Sequence, residues 1–399
     1  MSSESNNSAT MLRLKRAAKT AVLASLIASR RLLPERLAAS ALGMIRIGFA
    51  PDKPDAEGPI SVSRYRGGAL AACCITVDFD HPSKEPWKTA LNREGTLELL
   101  ALSERYNVPL TWAICGKAAL AEPEAYGRIL QSKTAQDIGV HTFNHRDFSD
   151  PACSDEEAQL EITRCIQVLG LPRRPTTFVF PWNREDKFHI VTMCGFTAYR
   201  GKDRCLGYPA KQHGLWNIPP LYYLDEKSFG AQSLVRRFID LAIAYGCVCH
   251  LWAHPWSLSA NGDVGLYCRR TLEPIFEYLA GLRDEGVLWL CTMKDLANYC
   301  EAREHCTISR GPDGLEPTFY VTPHTSDPPD DSPTILTIRF RREGPTPADV
   351  RRGSGAKGGM SRSGGDGWLY VDLPAREGDY SVAGGPAVRP TSRSHLVSE

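Results

Sequence analysis

Between about residue 70 and residue 300, short apolar runs alternate with stretches of helical period. The runs AACCITVDFD, VPLTWAI, QDIGVHTF, TTFVF, CVCHLWAH and VLWLCTM are rich in β-branched and aromatic residues, which predicts strands. Residues 93–106, 154–169, 233–245 and 271–285 between them read as helices. Ser154, Asp155 and Glu157 predict a capped start for the helix at 154–169, because short polar side chains satisfy the free N–H groups of a first turn. This alternation predicts an α/β fold of βα units around a parallel sheet, either a closed or nearly closed (β/α) barrel of about seven strands or an open doubly wound sheet. In both, residues that carry chemistry gather at the C-terminal ends of the strands.

The flanks differ. Residues 1–12 are polar, residues 13–46 read as a helical extension, and PDKPDAEGP at 51–59 reads as a linker. Beyond Cys306 the helical period stops. TFYVTP, ILTIRFRR and GWLYVDLP read as strands of a small β-rich appendage, and residues 353–366 as a flexible low-complexity loop. The expected organisation is therefore 1–60, 61–305 and 306–399. In the first segment, Arg13, Lys15, Arg16 and Lys19 precede an apolar run from Ala21 to Ala28. That run is shorter than the roughly 18 residues needed to cross a bilayer. It reads as a surface helix, as a helix in peripheral contact with a membrane, or as the core of a signal peptide.

Composition narrows the function classes. A net charge of +1 and no basic stripe interleaved with aromatics argue against a nucleic-acid partner. Thirteen cysteines, an odd number spread through apolar runs, predict a reduced interior and a cytoplasmic location rather than a disulfide framework. Cys247-x-Cys249-His250 reads as an apolar strand rather than as a metal-ligand cluster.

Four features carry candidate chemistry. The first strand ends in Thr76-Val77-Asp78-Phe79-Asp80-His81-Pro82, and strand alternation puts Asp78 and Asp80 on one face. Two carboxylates there are costly unless paired or bound to a cation. Gly139-Val140-His141-Thr142-Phe143-Asn144-His145 places an H-x-x-x-H pair on one face in either a helix or a strand. Two imidazoles and one carboxylate leave a coordination position open, as in catalytic rather than structural metal sites. Phe178-Val179-Phe180-Pro181-Trp182-Asn183 makes a strand with a rigid aromatic lip, and Cys249-His250-Leu251-Trp252-Ala253-His254-Pro255-Trp256 brings His254 to a strand end.

In this order, over about residues 70–300, these pieces resemble the polysaccharide deacetylase family, carbohydrate esterase family 4 with the NodB homology domain. Phe178 to Gly201 is similar to that family as well. The resemblance implies a distorted (β/α) barrel and a divalent metal, zinc first with cobalt or nickel as alternatives, held by Asp80, His141 and His145. It implies Asp78 as general base, although Asp78 and Asp80 could exchange roles, and His254 as general acid. Pro181 and Trp182 match the motif whose backbone N–H binds the oxyanion, with Trp252, Trp256 and Arg200 expected around the substrate. Two family features are missing. Val179 stands where the family has the arginine that orients the base, leaving Arg184 or Arg200 as substitutes. The acid that supports the late histidine is not evident, and Trp216 is a candidate only for its aromatic companion.

The expected activity is N-deacetylation of an N-acetylated sugar, in a polysaccharide or a lipid-linked precursor. Hydrolysis of a non-sugar amide, formamide or cyclic imide on the same fold is the alternative, and a non-catalytic carbohydrate-binding relative is the third reading.

Overall fold

The computed structural model describes residues 60–80, 86–202, 205–310, 317–321, 334–341, 349–352, 360–363, 368–374 and 378–383. The expected helical extension at 13–46 and the linker at 51–59 lie outside the described residues. The chain divides into two compact units, one of residues 69–298 and the other of residues 60–68 with those from 299 onward.

β1 (Ile60–Val62) belongs to the second unit. The larger unit is built on one sheet: β2 (Ala71–Phe79), β3 (Leu110–Ile114), β4 (Gln136–Val140), β5 (Thr177–Val179), β6 (Ala198–Arg200), β7 (Ala210–Gln212), β8 (Leu215–Asn217), β9 (Tyr222–Leu224), β10 (Val248–Ala253) and β11 (Leu288–Leu290). Its order is β7-β8-β6-β5-β4-β3-β2-β10-β9, with β11 added beside β2. Every pairing is parallel except β7 with β8. The sheet curls into an incomplete β/α barrel with helices around it, as the alternating pattern predicts.

The central strand explains how the site is placed. β2 is buried along its whole length, as expected for a parallel strand covered on both faces. Val77 and Phe79 pack into the hydrophobic core with Ile75, Trp112 and Ile114. Asp78 projects from the opposite face, and β10 runs alongside from Val248 to Ala253 in register with Ala72 to Val77. The ends of β2, β4, β5 and β10 therefore bring Asp80, His141, Pro181 and His254 to one rim.

The helix expected at 154–169 is present as Asp155–Leu169, and the Ser154 hydroxyl accepts the N–H of Glu157 at 3.1 Å. The helix expected at 93–106 begins earlier, at Pro86, and runs to Tyr106. Inside it Gly95 allows a backbone contact. A Cβ there would stand 2.2 Å from the carbonyl oxygen of Pro255, just beyond His254. None of the thirteen cysteines is in a disulfide, and eleven of them are buried. Among the described helices none is long and apolar enough to cross a membrane.

The second unit holds two four-stranded sheets. One has the order β1-β14-β17-β16, with β14 (Ile335–Arg341), β16 (Met360–Ser363) and β17 (Trp368–Pro374). The other is β12-β13-β18-β15, with β12 (Cys306–Arg310), β13 (Pro317–Val321), β15 (Asp349–Arg352) and β18 (Gly378–Ala383). Both are antiparallel. The three strands read from the sequence are all present, but Met360–Ser363, expected in a flexible loop, pairs with β17. Hydrogen bonding along that edge outweighs its low-complexity composition. Residues 61–68, expected with the barrel, belong here instead, together with Ile60 from the expected extension: Ile60, Ser61 and Val62 lie opposite Phe340, Arg339 and Ile338.

Candidate active site

Asp78 and Arg200 make the most tightly held pair at the rim. Their side chains are 3% and 1% exposed, and both carboxylate oxygens receive guanidinium N–H groups at 2.6 Å. The fork of arginine matches a carboxylate in this way and lysine cannot. Arg200 also donates to Thr76 Oγ1 and to Asn183 Oδ1, both at 3.0 Å, and its guanidinium lies 4.6 Å from the ring centre of Trp252. Burial pushes the Asp78 carboxyl up, but Arg200 and then His141 outweigh it and hold it well below the usual carboxylate range. Arg200 does not face the substrate as expected. It is buried behind Asp78 and supplies the arginine partner that Val179 does not. Arg184 is elsewhere, paired with Asp147 at 2.6 Å.

The histidine pair follows β4, and its geometry is neither helix nor strand. Thr142 and His145 both have left-handed backbone, at φ 61° and 58°. Non-glycine residues there cost on the order of 1 kcal/mol each. The turn is held from outside. Glu161, on the helix Asp155–Leu169, accepts the N–H groups of Phe143 at 3.0 Å and Asn144 at 2.7 Å, and the Asn144 side-chain amide at 2.7 Å. This clamp brings the two imidazole rings to 4.7 Å between centres.

His141 donates from Nδ1 to the carbonyl of Val179 at 2.8 Å, because that oxygen can only accept. In the neutral ring Nε2 is then a bare acceptor. It is buried and has no hydrogen-bond partner, a state that costs about 1–3 kcal/mol unless something positive meets it. Burial lowers His141 and His145 to about 4, so both are neutral near pH 7, the form that binds metal. Trp256 donates its indole N–H to Asp80 Oδ1 at 2.8 Å. Asp80 Oδ2 lies 3.8 Å from His145 Nε2 and 3.5 Å from His254 Nε2. Ligand atoms around tetrahedral zinc are separated by roughly 3.3–3.6 Å. Among the described residues no three such side chains already form a complete cage. The orphaned nitrogen of His141, the neutral imidazoles and the free oxygen of Asp80 nonetheless suit a borderline-soft divalent cation.

His254, at the end of β10, places Nε2 at 3.8 Å from Asp78 Oδ2 as well. Its Nδ1 meets the hydroxyl of Tyr223 at 2.8 Å. Sequence reasoning missed Tyr223, which occupies the position expected for an acid. Trp216, the aromatic candidate, instead lies on β8 under the ammonium of Lys211. Trp252, expected at the substrate, is buried between Arg200 and Tyr223, with the tyrosine ring stacked at 4.1 Å. Pro181 is buried too. Trp182 is 66% exposed, adopts φ 60°, and sets its ring edge-on to His145 at 4.7 Å. Trp256 lies 4.9 Å from His254.

Residues 72–195 match the family model described as polysaccharide deacetylase. That segment is similar to the polysaccharide deacetylase family. The deacetylase match takes in Asp78, Asp80, His141, His145, Pro181 and Trp182, and ends before Arg200, Tyr223 and His254. Among solved structures, a candidate polysaccharide deacetylase of Mycobacterium smegmatis is 17% identical, with 72% of this chain and 99% of that one covered and a TM-score of 0.49. A second, from Pseudomonas aeruginosa PAO1, is 17% identical over 63% of this chain and 95% of its own, also with a TM-score of 0.49. The peptidoglycan deacetylase PdaC of Bacillus subtilis is 18% identical over 59% and 93%, with a TM-score of 0.37. A search of curated proteins finds no match.

Proposed function

We propose that this protein hydrolyses the N-acetyl amide of a sugar with the help of a divalent cation held by Asp80, His141 and His145. One observation carries the reading. The buried, unpartnered nitrogen of His141 belongs to a ring 4.7 Å from that of His145, which itself stands 3.8 Å from an Asp80 oxygen, next to an ion-paired aspartate and a further histidine.

A divalent cation, zinc first and cobalt or nickel otherwise, supplies water acidified towards a pKa of about 7 and a Lewis-acidic contact for the acyl oxygen. Asp78, held as a carboxylate by Arg200, would take a proton from the attacking water. The water oxygen then bonds to the amide carbon. Pro181 leads the chain into the left-handed turn at Trp182, whose N–H is assigned to the developing oxyanion. His254 gives a proton to the departing nitrogen as the C–N bond breaks, since an unprotonated amine leaves poorly. The products are a free amine and acetate.

The exposed indole face of Trp182 supports a sugar substrate, because a flat apolar ring suits the apolar face of a pyranose. The free thiols support a reducing compartment, and with it a glycan precursor rather than a finished wall polymer. The test is acetate release from N-acetylglucosamine oligomers by zinc-loaded protein, with formate release from N-formyl sugars and hydrolysis of a cyclic imide measured in parallel. Acetate from the oligomers supports the reading. Turnover of the imide alone would replace it with the non-sugar alternative.

A further inference from the structure

His254 is anchored on the side of its ring away from the two aspartates. Tyr223 Oη lies 2.8 Å from His254 Nδ1 and 3.1 Å from Ser257 Oγ, and Ser257 Oγ lies 2.9 Å from the carbonyl oxygen of His254 itself. The far end of this chain fixes its direction. A carbonyl has no hydrogen to give, so the Ser257 hydroxyl donates to it. Ser257 Oγ then accepts from the Tyr223 hydroxyl. With its own proton committed, the Tyr223 oxygen accepts from His254 Nδ1. Burial raises the phenol above its ordinary range, so Tyr223 remains a neutral hydroxyl. Its ring is fixed by stacking on Trp252 at 4.1 Å.

We propose that Tyr223, backed by Ser257, is the positioning residue that keeps the His254 proton on Nδ1 and presents Nε2 to Asp78, Asp80 and the substrate nitrogen. A hydroxyl relay terminated by a main-chain carbonyl thus takes the place of the carboxylate that the family resemblance implies. The relay accepts the Nδ1 proton in both the neutral and the protonated ring. All proton traffic is therefore confined to Nε2. Among the described residues Tyr223 is the hydrogen-bond partner found at Nδ1, while Trp252 meets the imidazole in a T-shaped contact and its own N–H is buried without a partner.

The inference rests on the proposed reaction for its kinetic part only. The test uses full-length, zinc-loaded protein labelled with nitrogen-15 in histidine, with His254 assigned from the His254→Gln spectrum. Long-range proton–nitrogen correlations of wild type at pH 8 are expected to show a protonated Nδ1 and an unprotonated Nε2. In Tyr223→Phe, which keeps the ring and its stacking, the two tautomers are expected to mix. Its kcat on N-acetylglucosamine hexamer should fall by roughly 10–100-fold, with KM within about twofold and zinc content unchanged. Ser257→Ala should lose less, and the double variant no more than Tyr223→Phe alone, because Ser257 acts through the phenol. An unchanged tautomer in Tyr223→Phe, or additive losses in the double variant, would overturn the assignment. If wild type binds no zinc and releases no acetate, the proposed reaction fails while the tautomer measurement still decides the role of Tyr223.

Discussion

Replacing Arg200 with methionine tests the support of Asp78 directly. The guanidinium spans both carboxylate oxygens at 2.6 Å, and neither side chain reaches water to any useful extent. Methionine fills a similar volume and stacks on Trp252 but neutralises nothing. Orphaning one member of such a buried pair costs about 3–5 kcal/mol. The bonds from Arg200 to Thr76 and Asn183 are lost too. Each contributes about 1 kcal/mol net, within the same range. The assay is urea denaturation of metal-free protein at pH 7, so that metal binding does not add to the folded state. Adding Asp78→Asn removes the orphaned charge, so the double variant should recover at least about 1 kcal/mol of the loss. Arg200→Lys should recover only part of it, since one ammonium cannot bridge both oxygens. A loss below about 1 kcal/mol in Arg200→Met, or no recovery in the double variant, would refute the claim that Asp78 depends on Arg200.

Three further outcomes are expected. Asp137 is buried, and Thr177, Thr111 and the N–H of Lys294 donate to it at 2.9, 3.2 and 3.3 Å, yet burial raises its carboxyl to about 6. The folded chain then holds its proton more tightly than the unfolded one. Its contribution to stability is full below about pH 4 and falls by about 3 kcal/mol in all as pH rises through about 6. Asp137→Asn should remove that slope in urea midpoints taken between pH 4.5 and 7, and an identical slope would contradict it. Gly95→Ala forces a methyl against the Pro255 backbone, which cannot rotate away; thermal denaturation should show a loss of about 1–3 kcal/mol, and wild-type stability would rule the contact out. Glu161→Gln trades a double acceptor for a group with only one accepting oxygen, loosening the turn at 141–145. Zinc affinity by chelator competition should fall roughly 10–100-fold, while unchanged affinity would show that the turn holds itself.

How much of this was legible in the sequence depended on element length. β2 and β10 are long enough for alternation to assign faces, so Asp78, Asp80 and His254 could be placed at one rim before any coordinates. β6 and β9 have three residues each, too few for a period. Arg200 and Tyr223 therefore carried no signal of facing the site. Their partners are also remote, Asp78 being 122 positions from Arg200 and His254 31 from Tyr223. The H-x-x-x-H pair was recognisable, but its left-handed turn was not, because Thr142 and His145 adopt it under the clamp of Glu161. In the second unit, β1 pairs across about 280 positions with β14, and no local pattern announces such a partner.

The central claim is that Asp80, His141 and His145 hold a catalytic cation. Elemental analysis of wild type and of the His141→Ala, His145→Ala double variant, both reconstituted with zinc and then dialysed, tests it most directly. About one zinc per chain in wild type, lost in the double variant while the fold is kept, is the predicted result. No retained metal in wild type, after reconstitution with cobalt and nickel as well, would contradict the account.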